Sequence, residues 1–131
     1  MIVDASALLA VALSESDGRK FAGAMAAASR VRIAAPNWLE AAMVVDRRGD
    51  PIASNLFDEI VKEVPIEIAA ISAAHAASAR QAWRDYGRGA HPAKLNFGDC
   101  LAYGFAKIEG EKLLFKGNDF SRTDIEPALK D

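Results

Sequence analysis

The chain is predicted to be an α/β protein, a three-layer α/β/α sandwich around a small, mostly parallel sheet. Three observations carry that expectation. Short apolar runs of strand length, at 1–3, 31–34, 65–69 and 112–115, alternate with segments of helical periodicity. Two helical segments stand between each strand and the next, in the order βααβααβααβ, and strands joined by helical crossovers pair in parallel with helices on both faces. The 131 residues, 51% hydrophobic and 26% charged, have the composition of one folded domain spanning 1–131.

The first strand, Met1-Ile2-Val3, ends in a turn at Asp4-Ala5, and a helix over 6–13 follows. A second helix covers about 16–28 and breaks off before Val31-Arg32-Ile33-Ala34, which alternates like a strand. Pro36 suits a helix start, where its fixed φ is already helical and its missing N–H is not needed. Trp38, Ala42 and Val45 recur behind it at helical spacing. Gly49-Asp50-Pro51 closes that helix and opens the next, which runs to about Lys62. After the 65–69 strand, the Ser72 hydroxyl can cap a long helix ending at Tyr86. Gly87-Arg88-Gly89-Ala90-His91-Pro92 is loop by composition. The last helix runs from Phe97 to about Ile108 with Phe97, Leu101, Phe105 and Ile108 on one side, and Gly110 closes it ahead of the fourth strand.

This layout brings four carboxylates to one edge of the sheet. Asp4 and Asp119 fall just past the C-terminal ends of the first and fourth strands, and Glu40 lies one turn into the helix after the second. Asp99 begins a helix whose far end feeds the fourth strand, so its start belongs at the same edge. Ligand chemistry in open α/β sheets gathers there. Taken singly, Asp4 and Asp119 can be explained as turn residues, and Asp99 as the partner of Asn96 in a capping box. Glu40 resists such an explanation. Met43 and Val44 follow it at helical spacing, so it is expected to face inward among apolar side chains, where an unpaired carboxylate is costly. Four carboxylates without matching bases repel one another unless a divalent cation neutralises them, and the set predicts a metal site.

A basic segment adjoins the acids. Between positions 80 and 94, Arg80, Arg84, Arg88 and Lys94 stand against Asp85, a net of +3, with His91 beside them. The loop in this segment is expected to overhang the acidic edge; the plain alternative is a solvated helix face. Lys116, directly ahead of Gly117-Asn118-Asp119, is placed to touch a phosphate. The formal net charge of −2 offers no whole-molecule attraction for polyanions. Cys100 is the single cysteine, which predicts a packed core thiol in a reducing compartment. Residues 1–13 are apolar, but no basic residue precedes them and Asp4 interrupts them, against the secretory-signal pattern. A cytoplasmic location is expected. The two apolar helices after the first strand, with Phe21 and Met25, are expected either to form part of a groove for a partner peptide or to pack on the sheet.

Val3-Asp4-Ala5-Ser6-Ala7, Leu39-Glu40, Leu95-Asn96-Phe97-Gly98-Asp99-Cys100 and Leu114-Phe115-Lys116-Gly117-Asn118-Asp119-Phe120 together resemble the PIN-domain ribonucleases, specifically the VapC toxins of bacterial toxin–antitoxin pairs. The resemblance covers essentially the whole chain. Its two C-terminal blocks are specific, whereas the opening Asp-x-Ser alone is weak. It implies a PIN-like fold and a metal-dependent endoribonuclease hydrolysing RNA phosphodiesters with Mg²⁺ or Mn²⁺. Asp4, Glu40, Asp99 and Asp119 then correspond to the family's acidic quartet. One or two ions would sit between Asp4 and Asp99, with Glu40 and Asp119 completing or orienting the shell. Ser6 matches a hydroxyl near the first Asp, and Asn118 a polar residue beside the fourth acid. Arg88, His91, Lys94 and Lys116 become candidate RNA contacts. Many members carry Thr where this chain has Lys116, which leaves open whether Asp119 or Asn118 faces the metal. A homodimer and a VapB-like antitoxin, inserting a side chain into the acidic groove, are also implied.

Other functions fit less well. A receiver-like phosphoryl-transfer protein also gathers acids at strand ends, but needs one ending the middle strand, and residues 66–70 run into Ile71-Ser72. The haloacid-dehalogenase pattern wants a second Asp two residues after the first, and position 6 is Ser. A PIN fold kept as a catalytically idle binding module is opposed by the intact quartet.

Overall fold

The computed structural model describes residues 1–89 and 91–130; Ala90, inside the predicted 87–92 loop, and Asp131 lie outside the described residues. The chain runs β1 Ile2–Val3, α1 Ala5–Ala12, α2 Gly18–Ala27, β2 Val31–Ala34, α3 Ala35–Asp46, α4 Pro51–Glu63, β3 Ile66–Ala69, α5 Ala73–Tyr86, α6 Phe97–Glu109 and β4 Leu113–Leu114, then a 3-10 turn at Phe120–Arg122. This is the predicted α/β order. All four strands are parallel, in the order β3-β2-β1-β4. The first strand of the sequence is therefore central, and its C-terminal end opens at the middle of the sheet edge.

The sheet is covered on both faces. Val3, Val31, Ile33, Ile66 and Leu114 pack with Leu8, Phe21, Met25, Val45 and Phe57 beneath α1–α4. Ile2, Ala34 and Leu113 pack with Leu95, Phe105 and Phe120 on the side of α5 and α6. Parallel strands buried on both faces favour continuous apolar runs over alternation. Helix starts follow the capping chemistry read from the sequence. Ser72 accepts the N–H of His75, and the His75 ring accepts the Ser72 N–H in return. Asp50 accepts from Ile52 ahead of Pro51, the first residue of α4. Cys100 is a buried free thiol, as expected of a core residue. No helix among the described residues is long and apolar enough to cross a membrane.

Packing decides three points that the sequence left open, misplaced or did not raise. Phe21 and Met25 are buried in the core, and Phe21 also lines a cleft with Asp17, Lys20 and Lys116. The stripe expected on α6 is split: Phe105 is buried, but Phe97 is 80% exposed and Ile108 half exposed. This helix is wedged between the sheet and α5, and the small residues Cys100, Ala102, Gly104 and Ala106 let it bury a broad arc instead of a narrow stripe.

Arg32 is the third. It lies within β2 and is buried despite its charge. Its Nη1 donates to Glu109 at 2.7 Å and its Nη2 to Glu111, with the guanidinium over the Phe105 ring at 5.3 Å. His75 Nε2 lies 2.9 Å from the other Glu109 oxygen. Because Nδ1 of His75 accepts from the Ser72 backbone, the neutral ring carries its proton on Nε2 and donates it to Glu109. These residues tie β2, α5 and the end of α6 together at the N-terminal edge of the sheet. Removing one member of a buried charged network leaves its partners unsatisfied. Arg32→Ala is therefore expected to cost about 2–3 kcal/mol in urea unfolding, whereas Arg30→Ala, which breaks an exposed pair with Glu67, should cost under about 1 kcal/mol.

Candidate active site

Asp4 leaves β1 at the centre of the sheet edge. Its N–H still bonds to the Leu114 carbonyl at 2.9 Å, while its side chain caps α1. Asp4 Oδ2 accepts both the Ser6 N–H at 3.0 Å and the Ser6 hydroxyl at 2.6 Å. The Ser6 hydroxyl oxygen in turn accepts the Lys116 N–H at 3.0 Å. One serine thus links the exits of β1 and β4 and holds the Asp4 carboxyl in place. Burial pushes the Asp4 pKa upward against those hydrogen bonds, and the charge of Glu40 adds to the rise.

Asp99 occupies the first turn of α6 and completes a capping box with Asn96. Asn96 Oδ1 accepts the Asp99 N–H at 2.9 Å, and Asp99 Oδ2 accepts the Asn96 N–H at 3.0 Å. The structural explanation available from sequence is correct, and it is compatible with a place in the acidic set, because the cap uses only Oδ2. Burial raises the Asp99 pKa to about 6 against the Asn96 bond, and the charges of Asp4 and Asp119 push it the same way.

Glu40 corrects an expectation. It is exposed, and so are Leu39 and Met43, because α3 turns Asn37, Ala41 and Val45 inward. Its apolar neighbours line an open cleft of about 740 Å³ between α3 and α6, and Glu40 forms part of the cleft wall. The carboxylate lies over Gly98, where a Cβ would stand 2.7 and 2.9 Å from its two oxygens. Glycine there is what lets α3 present Glu40 to the start of α6. Asn37, only 1% exposed, joins the same two helices by donating from Nδ2 to the Gly98 carbonyl at 3.0 Å. Partial burial raises the Glu40 pKa, followed by the charge of Asp99, with Asn37 opposing. Asn37 and Gly98 were missed as supporting residues. The signal for Asn37 was its i, i+4, i+8 alignment with Ala41 and Val45.

Asp119 is exposed at the start of the 3-10 turn, and its charge is felt at Asp99. Asn118 lines a different cleft, together with Asp17, Phe21 and Lys116, and its carbonyl accepts from Ser121. The Lys116 Nζ pairs with Glu15 at 2.9 Å and Asp17 at 3.2 Å, so this cation is neutralised within the fold. His91 Nδ1 accepts the Ala93 N–H at 3.0 Å, and its ring packs edge-on against Tyr86 at 5.1 Å, which shapes the loop. Arg88 and Lys94 are exposed on either side of it, in the segment leading directly to the Asn96 cap.

Asp4, Glu40, Asp99 and Asp119 are therefore joined electrostatically, with no lysine or arginine side chain bonded to any of them among the described residues. An all-oxygen donor set that resists ionisation suits a hard divalent cation. Among the described residues, no three acidic, histidine or cysteine side chains already converge as a ready-made metal cluster. The fit rests on donor chemistry and on the raised carboxyl pKa values.

Asp99 supplies a direct test. An unfolded Asp loses its proton near 3.8 and the folded one near 6, so the folded state holds the extra proton between those values. Stability then declines as pH rises through that window, and the full cost of ionisation is present above it. Asp99→Asn retains a capping oxygen. In urea unfolding with EDTA at pH 7.5 it should gain about 1–2 kcal/mol, a figure reduced for the group's partial exposure to solvent. At pH 4 the gain should vanish.

The chain has relatives both in sequence and in fold. The family model described as PIN domain matches residues 1–126. The chain is 43% identical over 129 residues to VapC ribonuclease Mb2780c of Mycobacterium bovis, covering 98% of each chain. It is 43% identical over 130 residues to ribonuclease VapC28 of Mycobacterium tuberculosis, again covering 98% of each. Among solved structures, Mycobacterium tuberculosis VapC20, a Sarcin-Ricin loop cleaving toxin, superposes with a TM-score of 0.73 at 17% identity over 95% of both chains. A toxin–antitoxin complex from Klebsiella pneumoniae gives 0.70 at 14% identity, covering 94% of this chain and 92% of that one. With a buried Asp at the end of β1, a capping Asp at the start of α6 and an acid on each side, the chain belongs to the PIN-domain family, among its VapC ribonuclease toxins.

Proposed function

We propose that the chain is one PIN domain that hydrolyses RNA phosphodiesters at Asp4, Glu40, Asp99 and Asp119, and that it acts in the cytoplasm as the toxin of a toxin–antitoxin pair. The observation that carries the reading is the run of mutually repelling, partly desolvated carboxyls at the sheet edge, to which no lysine or arginine side chain is bonded among the described residues. Asp4 and Asp99 would be the principal ligands of Mg²⁺ or Mn²⁺, with Glu40 and Asp119 completing or orienting the shell. When bound, such an ion supplies charge to stabilise the phosphate in the transition state and lowers the pKa of water. The chain's own residues provide the frame. Ser6 fixes the Asp4 carboxyl, Asn96 fixes that of Asp99, and Gly98 makes room for Glu40. Asp119, coupled to Asp99, is favoured over Asn118 as the fourth acid.

Arg88 and Lys94 are assigned to the RNA backbone. Lys116 reaches a phosphate only by giving up Glu15 and Asp17, and otherwise acts through its N–H to Ser6. His91 shapes the loop that carries the neighbouring cations. A VapB-like antitoxin is the proposed partner, placing a side chain against the same acids, and a homodimer is the proposed assembly.

Asp4→Asn and Asp99→Asn should each lower single-turnover cleavage of a short RNA by at least about 100-fold, and EDTA should abolish it. Both variants should keep the wild-type circular dichroism spectrum. Full cleavage in EDTA overturns the metal-dependent reading. A well-folded wild type that binds its antitoxin yet cleaves no RNA with Mn²⁺ would be an idle binding module instead. Gly98→Ala tests the frame separately. Its Cβ displaces only the end of the Glu40 side chain, so thermal stability should change little while Mn²⁺ affinity, read by titration calorimetry, falls about tenfold.

A further inference from the structure

We infer that Asn37 is a positioning residue of the active site: its buried amide holds the Glu40 carboxylate over the start of α6, while its own carbonyl oxygen is left without a partner. The inference rests on the ribonuclease reading above and deepens it by naming the group on which the placement of one acid depends.

Asn37 sits in the first turn of α3, three residues ahead of Glu40, and is 1% exposed. The two side chains meet at Gly98. Asn37 Nδ2 donates to the Gly98 carbonyl at 3.0 Å. The Glu40 carboxylate lies over the same glycine, where a Cβ would stand 2.7 Å from Oε2. Amide and carboxylate thus converge on one residue of α6, directly before Asp99. A primary amide carries two N–H donors. A hydrogen bond from the Asn37 side chain also favours the ionised Glu40 carboxyl, against burial and the charge of Asp99.

This contact fixes the orientation of the amide. A flipped Asn37 would set its oxygen against the Gly98 carbonyl, acceptor facing acceptor, and would lose its donor to Glu40. In the orientation it has, Oδ1 is buried and accepts no hydrogen bond among the described residues. A buried polar atom left unsatisfied destabilises a fold.

The packing of α3 on α6 does not require this amide. Gly98 lies within α6, where a carbonyl accepts the N–H four residues on, so its oxygen has a partner without Asn37. Asparagine is also a weak helix former, because its side chain competes for backbone groups. Leucine has the same branching and the same number of side-chain heavy atoms, and would leave no orphaned oxygen. The amide is therefore explained by what it donates to. A destabilising group retained beside functional carboxylates marks a position kept for the geometry of the site.

The test uses the whole chain, with two readouts besides cleavage: thermal unfolding in EDTA and Mn²⁺ affinity by titration calorimetry. Asn37→Leu should unfold at a temperature no lower than wild type, because the exchange removes the orphaned oxygen. Its Mn²⁺ affinity should fall about 10- to 100-fold, the usual effect of losing a group that orients a metal-binding side chain. At saturating Mn²⁺, kcat for a short RNA should drop about tenfold with KM within about threefold of wild type. In a Glu40→Gln background, Asn37→Leu should change Mn²⁺ affinity by less than about twofold, since the amide acts through that carboxylate. Asn37→Ala removes the same donors with a smaller side chain and should repeat the loss of affinity, which keeps the inference testable if leucine does not fit.

Wild-type Mn²⁺ affinity and kcat in a folded Asn37→Leu or Asn37→Ala protein overturn the inference. So does failure of both variants to fold, or a lowered melting temperature in both with Mn²⁺ affinity intact; either result makes the amide part of the scaffold. An equal loss of affinity with and without the Glu40 carboxylate shows that Asn37 acts elsewhere, and overturns it too. A wild type that neither binds Mn²⁺ nor cleaves RNA refutes the ribonuclease reading and the positioning role together. Unchanged variants beside an active wild type refute the positioning role alone.

Discussion

Repulsion among desolvated carboxyls at the C-terminal edge of the sheet is the constraint around which the rest of the molecule is arranged. Asp4 is buried beside Glu40, Glu40 beside Asp99, and Asp99 beside Asp119, and in the first three the carboxyl pKa is pushed upward. Such a set stays in place only if each member is held by something else. Asp4 is held by Ser6, Asp99 by its own capping box, and Glu40 by the helix pairing that Asn37 and Gly98 permit. Each support is a local hydrogen bond or a missing side chain, and none brings in a positive charge that would compete with a cation from outside.

The opposite edge of the sheet solves the same problem in the ordinary way. There Arg32 is buried with Glu109 and Glu111, and His75 gives Glu109 a second donor. Acid and base neutralise each other, and the Glu109 and Glu111 pKa values are lowered. The contrast between the two edges matters more than either one. A fold able to pair its buried charges at one end leaves them unpaired at the other, as expected where stability is traded for chemistry.

The surface divides in a related way. Lys116 is neutralised by Glu15 and Asp17, while the cations of the 80–94 segment are exposed. Basic character near the acids therefore comes from one side, along α5 and the loop after it. A net charge of −2 hides this polarity, because it averages an acidic centre with a basic flank.

The order of elements, the parallel sheet, the Ser72 and Asn96 caps and the presence of four acids at one edge were legible in the sequence. They depend on local periodicity and on the topological rule that parallel strands place their C-terminal ends together. What only the tertiary structure decided is which way shared faces point. Met43 and Val44 suggested an inward Glu40, yet α3 buries its Asn37, Ala41 and Val45 side. The apolar run around Phe21 and Met25 read equally well as a groove or as core; both side chains are buried in the core, while Phe21 also lines a cleft. Nothing in the sequence marked Arg32 as a buried charge, which follows only from Glu109 and Glu111, 77 and 79 residues away in sequence, being brought against it. Periodicity records that residues lie on one side of an element. It holds no information about what the chain later packs against that side, and burial, charge pairing and carboxyl pKa depend on that neighbour.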